Sequence, residues 1–155
     1  METLKKIMLA TTAVLATVII AGCSKDDMST VKKGHLEFNK SLTIGQALDG
    51  YKYFGKKEWL AKKTPQGTRL VILKTEMNPQ FIKEINEECI KSDPQGKAIE
   101  SQLWSIQFTL NSDETIHISG TQTLTTLADK NKVDGSLNEA LLQSVYKNQL
   151  ATVCK

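Results

Sequence analysis

The chain has two histidines, His35 and His117. Nucleophilic catalysis needs a nucleophile, a base that activates it and a group that orients the base. His117 alternates with Ser119 and Thr121, so one strand face would carry an imidazole beside hydroxyls. No Gly-x-Ser-x-Gly elbow accompanies them, and no third group is in view to orient the base. His117 therefore reads as an exposed strand residue. A metal centre needs three or four ligands at suitable spacing. Two distant histidines do not supply it, and Asp26-Asp27 lacks the spacing of a calcium loop. Neither standard glycine-rich phosphate loop is present. Glu84, Glu87 and Glu88 could pair as hydrolytic carboxylates, but their spacing suits a solvated helix face. The expectation is a non-enzymatic protein with no cofactor and no metal.

Binding chemistry is better represented. Lys52, Lys56, Lys57, Lys62, Lys63, Arg69 and Lys74 crowd one stretch with Tyr51, Tyr53, Phe54 and Trp59. Cations attract anionic partners such as lipopolysaccharide phosphates, peptidoglycan carboxylates or an acidic protein, and aromatics anchor interfaces. Tyr51 and Phe54 follow a helical apolar face, whereas Tyr53 falls off it. The candidate binding surface is therefore Tyr53, Lys56, Lys57, Lys62, Lys63 and Arg69.

The first 23 residues state an address. Lys5 and Lys6 precede an uncharged apolar run from Ile7 to Ile20, followed by Ala21, Gly22 and Cys23. This is the layout of a secretory signal, and the run is short for a membrane span of about 20 residues. Ile20-Ala21-Gly22-Cys23 resembles the lipobox of bacterial lipoproteins. That resemblance implies cleavage before Cys23, diacylglycerol on its thiol and an acylated new amino terminus. Two or more acyl chains anchor stably where one does not. Ser24, rather than Asp, after the cysteine implies the outer membrane under enterobacterial-type sorting. The partners expected are the membrane, through the lipid, and an envelope protein.

Removing residues 1–22 takes Lys5, Lys6 and Glu2 with it, so the net charge falls from +3 to +2. Export and near-neutrality together argue against a nucleic-acid partner. The body is long enough for one domain with one core. With Cys23 lipidated, Cys89 and Cys154 remain, and an even pair in an exported chain points to a disulfide.

These residues need elements to place them. Ser24 to Lys33 is polar and charged without a hydrophobic period, so residues 23–33 read as lipidated cysteine and flexible tether. Thr43 with Gln46 fits a capping box opening a helix over 43–54, stopped by Gly55. Strands follow at 58–63 and 68–76 around the turn Thr64-Pro65-Gln66-Gly67. Leu70-Val71-Ile72-Leu73 is apolar on both faces, which places its strand inside the sheet. Asn78-Pro79 starts a second helix carrying Ile82, Ile85 and Cys89 on one face. Trp104, Ile106, Phe108 and Leu110 alternate with polar residues, as do Ile116, Ile118 and Leu124, giving two more strands. Asp129 to Gly135 reads as a charged loop. Ser136 with Glu139 fits a second capping box, opening a last helix over 137–152.

The fold class expected is α+β: a four-stranded antiparallel sheet with helices on one face, in α-β-β-α-β-β-α order, over a single domain at 34–155. Val31-Lys32-Lys33-Gly34, Thr43-Ile44-Gly45, Ala47, Trp59, Gly67 and Val71 resemble a small module of uncharacterised bacterial envelope proteins. That resemblance covers residues 31–71 and implies an α+β module without chemistry. The functional expectation is an envelope-anchored binding or structural module. The alternative is an inhibitor or exclusion factor that blocks a foreign enzyme, toxin or phage step.

Overall fold

The computed structural model describes residues 24–151. The expected signal and lipobox lie outside the described residues, as does Cys154. The described chain is α+β. Its elements are α1 (Ser24–Lys33), α2 (Ile44–Gly50), β1 (Phe54–Lys63), β2 (Arg69–Met77), α3 (Pro79–Ser92), β3 (Ile99–Leu110), β4 (Ile116–Leu127), β5 (Lys132–Gly135) and α4 (Glu139–Tyr146). The strands form one antiparallel sheet in the order β1-β2-β3-β4-β5, and β2 is internal, as its two-sided apolar run requires.

One face of that sheet is the floor of the core. On β3 it carries Trp104, Ile106, Phe108 and Leu110, all buried. Their partners across the ladder are Thr75, Leu73, Val71 and Arg69 on β2, and Thr123, Thr121, Ile118 and Ile116 on β4. The helices pack on this face. Val31 of α1, Ile44 and Leu48 of α2, Phe81 and Ile85 of α3, and Leu141, Leu142 and Val145 of α4 join the same core. Trp104 is its centre: Phe54 and Phe81 meet it edge-on, and its indole N–H donates to Gln102 Oε1 at 2.7 Å.

Several local signals act as expected. The amide N–H of Gln46 donates to Thr43 Oγ1, and Gln46 Oε1 accepts from the Thr43 amide, closing the capping box. Asn78 caps α3 by accepting from the Phe81 amide at 2.9 Å. Gly67 has φ +87 in the β1–β2 turn, which a side chain would strain.

Four expectations are corrected. The segment 24–33 is no tether but helix α1, docked on the core with Val31 fully buried. Asp26 and Asp27 sit in the first turn and Lys32 and Lys33 in the last, which suits the helix dipole. Asp27 is only 4% exposed because Arg69 Nε and Nη2 donate to its Oδ1 at 2.8 and 2.5 Å. The sheet has a fifth strand, because Lys132–Gly135 pairs with Thr123–Thr126. All four of its residues are exposed, so no alternation announced it. Helix α2 ends at Gly50, not 54, and Gly55 lies inside β1 against the Glu76 carbonyl. Helix α4 starts from Asn138, which accepts from the Leu141 amide, not from Ser136. It ends at Tyr146, where Asn148 at φ 54 closes a Schellman motif through Gln149 N–H to Ser144 O and Asn148 N–H to Val145 O.

Tyr146 Oη is buried and finds no hydrogen-bond partner among the described residues. An unmade buried hydrogen bond costs about 1–3 kcal/mol. Tyr146→Phe is therefore expected to stabilise the protein by about 1 kcal/mol, read as a higher urea midpoint. Burial also pushes the Tyr146 and Tyr51 hydroxyls above the usual tyrosine range. A raised folded pKa leaves stability intact below the unfolded value, and stability is lost as pH rises through the folded one. Stability is expected to hold up to about pH 10 and then to fall by about 1.4 kcal/mol per pH unit for each of the two tyrosines. Tyr146→Phe should remove about 1.4 kcal/mol per pH unit from that slope in urea titrations at alkaline pH.

Candidate binding face

The strand period that buries Trp104 turns Leu103 the other way. Because every described helix packs on one side, the described residues leave the second face of the sheet uncovered. On β1 it carries Glu58, Leu60 and Lys62; on β2, Leu70, Ile72, Lys74 and Glu76. On β3 it carries Leu103, Ser105, Gln107 and Thr109, and on β4 His117, Gln122 and Leu124. Two apolar clusters stand on it. Leu60 lies opposite Ile72 with Leu70 alongside, and Leu103 lies opposite Leu124. Leu103 is 46% exposed, high for a leucine in a central strand. Between the clusters runs a polar band of Ser105, Gln107, Thr109 and Ser119. Within it Gln107 Nε2 donates to Ser119 Oγ at 3.1 Å. Charges of both signs frame the face: Glu58 opposite Lys74 on one side, Asp134 opposite Leu124 on the other. Apolar anchors set among hydrogen-bonding side chains are the anatomy of a protein interface.

The residues expected to bind do not form one patch. Tyr53 is buried, 2% exposed, with its ring edge-on to Tyr51 and Phe81. Its hydroxyl donates to Glu84 Oε2. That hydrogen bond raises the Tyr53 pKa and lowers that of Glu84. Lys52 Nζ covers the Tyr53 ring at 4.6 Å. The helix ends before Tyr53, so its helical-wheel position had no meaning. Arg69 is held by Asp27 and is not a free cation. Lys57 Nζ donates to the Asp49 carbonyl at 3.0 Å. Asp49 also takes Lys32 at 2.7 Å and the Trp59 indole N–H at 2.9 Å, which ties α1, α2 and β1 together. Lys56, Lys62 and Lys63 remain exposed. Lys56 is at one end of β1, and Lys62 and Lys63 are at the other, about 20 Å away at strand rise.

A second concavity, of about 670 Å³, lies between α3 and the β3–β5 end of the core face. Ile90 and Val133, about half exposed, stand on its walls. Two of its polar side chains are engaged within the fold. Gln102 bridges Trp104 and Thr125, and Asn86 makes paired hydrogen bonds to the backbone of Ile99. Thr123, Asp134 and Ser136 line it as well. Cys89 lines it and is disulfide-bonded. It is the one cysteine among the described residues, so the expected pairing with Cys154 lies outside them.

Among the described residues no cluster of His, Cys, Asp or Glu is placed to hold a metal ion. His117 is exposed on the open face beside Thr109. Among the described residues no helix is long and apolar enough to cross a membrane. No family model, curated protein or solved structure matches the chain.

Proposed function

We propose that this chain is a lipid-anchored envelope protein whose uncovered sheet face binds another envelope protein, without catalysis. The observation that carries the binding role is that face: five strands, no helix over it among the described residues, and apolar residues where a lone sheet would be polar. The anchor rests on the lipobox resemblance at Ile20-Ala21-Gly22-Cys23, and the outer membrane on Ser24. Cys89 would then pair with Cys154. Ala151 donates its amide to Tyr51 Oη at 3.3 Å, and Tyr51 lies against Tyr53, which reaches α3 through Glu84. That relay of contacts links the last described residue, Ala151, to α3 through two tyrosine rings.

The test is capture from solubilised envelope by the oxidised protein, beside a Leu60→Glu, Leu103→Glu variant. Leu103 is exposed and Leu60 half-buried, and neither belongs to the core, so the variant should fold, which its urea midpoint beside the wild type's checks. Loss of two interface anchors is expected to reduce retention of a specific partner by at least about 30-fold, the effect of a single strong anchor. Equal retention by both proteins would remove the open face from the role. Retention of foreign hydrolases or toxins alone would make the protein an inhibitor instead.

A further inference from the structure

The docked α1 changes how the anchor would hold the body. This inference rests on the lipoprotein reading and deepens it. Helix α1 begins at Ser24, the residue after Cys23. One turn on, Asp27 is clamped by Arg69, the first residue of β2, whose Nη1 also reaches the Asn111 carbonyl at 3.5 Å. Arg69 pairs with Lys63 on β1 and Leu110 on β3. The start of α1 therefore lies over the sheet end that carries the β1–β2 and β3–β4 turns. The far end of α1 is fixed there too. A Cβ on Gly34 would fall 2.1 Å from Ile116 Cδ1, and the Ile44 amide donates to Gly34 O at 2.8 Å. No slack chain separates Ser24 from the folded body.

We infer that the lipidated protein lies directly on the bilayer with its β1–β2 hairpin tip, residues 62–68, against anionic headgroups. The two turns at this end differ in charge. Lys62 and Lys63 are exposed on the β1–β2 side, while Asp113 and Glu114 are exposed on the β3–β4 turn. An anionic surface attracts the first and repels the second. The body is thus tilted onto β1–β2. The loop after α3, at 93–98, points away, because β3 runs the full length of the sheet from Ile99 to the tip.

The experiment uses the mature lipoprotein in nanodiscs of phosphatidylethanolamine and phosphatidylglycerol with a gadolinium-chelating lipid. Intact mass first establishes whether Cys23 is acylated. Amide broadening is then compared for 64–68 and 93–98. Twelve residues of β3 span about 36 Å, so broadening at the tip is expected to exceed that at the far end by at least about tenfold. A Gly-Ser insertion of ten residues between Cys23 and Ser24 should abolish that ratio. Lys62→Glu, Lys63→Glu should reduce it several-fold with α1 untouched. Acylated protein with equal broadening at both ends, or stronger broadening at 93–98, overturns the inference and leaves the lipoprotein reading standing. A mass without acyl chains overturns the anchor, and the orientation with it.

Discussion

Trp104→Ala is expected to lower the unfolding free energy by about 4 kcal/mol, at the upper range for deleting a buried aromatic. Trp104 is 1% exposed and stands where β3 meets Phe54 and Phe81. Alanine would leave a cavity under α3. It would also leave Gln102 Oε1 without its donor, and Gln102 is itself 3% exposed. An unsatisfied buried acceptor adds about 1 kcal/mol or more. Trp104→Phe keeps much of the volume and loses the N–H, so a cost of about 1–2 kcal/mol is expected. Urea unfolding of the three proteins measures the series. A Trp104→Ala cost under about 1 kcal/mol would mean that the helices do not close on this face. The proposed binding role depends on that closure, because a sheet with one firmly covered face presents the other as a fixed surface.

Reduction of the disulfide at Cys89 is the second large effect. Paired with Cys154 it closes a loop of about 65 residues, for which the chain-entropy model gives about 4 kcal/mol. Urea unfolding with and without reductant reads this directly. A loss below about 1 kcal/mol would mean that the bond constrains little of the unfolded chain. The energy does not identify the partner, since a bond to Cys23 would close a loop of nearly the same length. Peptide mapping of the non-reduced protein does. A Cys89–Cys154 peptide leaves Cys23 for the lipid. A Cys23–Cys89 peptide overturns both the pairing and the anchor.

Much of this protein was determined by local sequence. The alternation in Trp104–Leu110 set a strand with one buried face, and the two-sided apolar run 70–73 set an internal one. Thr43, Asn78 and Gly67 ended or opened elements through hydrogen bonds and backbone angles that a few neighbouring residues specify. The Asn148 stop was also in the sequence, as an asparagine able to adopt φ 54 just past the C-cap Lys147.

Tertiary structure decided the rest, and each case has a physical reason. Helix α1 carries too few apolar residues to announce itself; it folds because Arg69, 42 residues away, neutralises Asp27 and because a pocket takes Val31. Strand β5 forms through backbone pairing with β4, which no side-chain period records. Tyr53 is buried because the helix ends before it and Glu84 meets its hydroxyl. The cluster of lysines existed only in sequence distance, because β1 extends it and Asp49 draws in Lys57. The open face arises the same way: the chain made Leu60, Ile72, Leu103 and Leu124 apolar, but only the packing of all the described helices on one side left them uncovered.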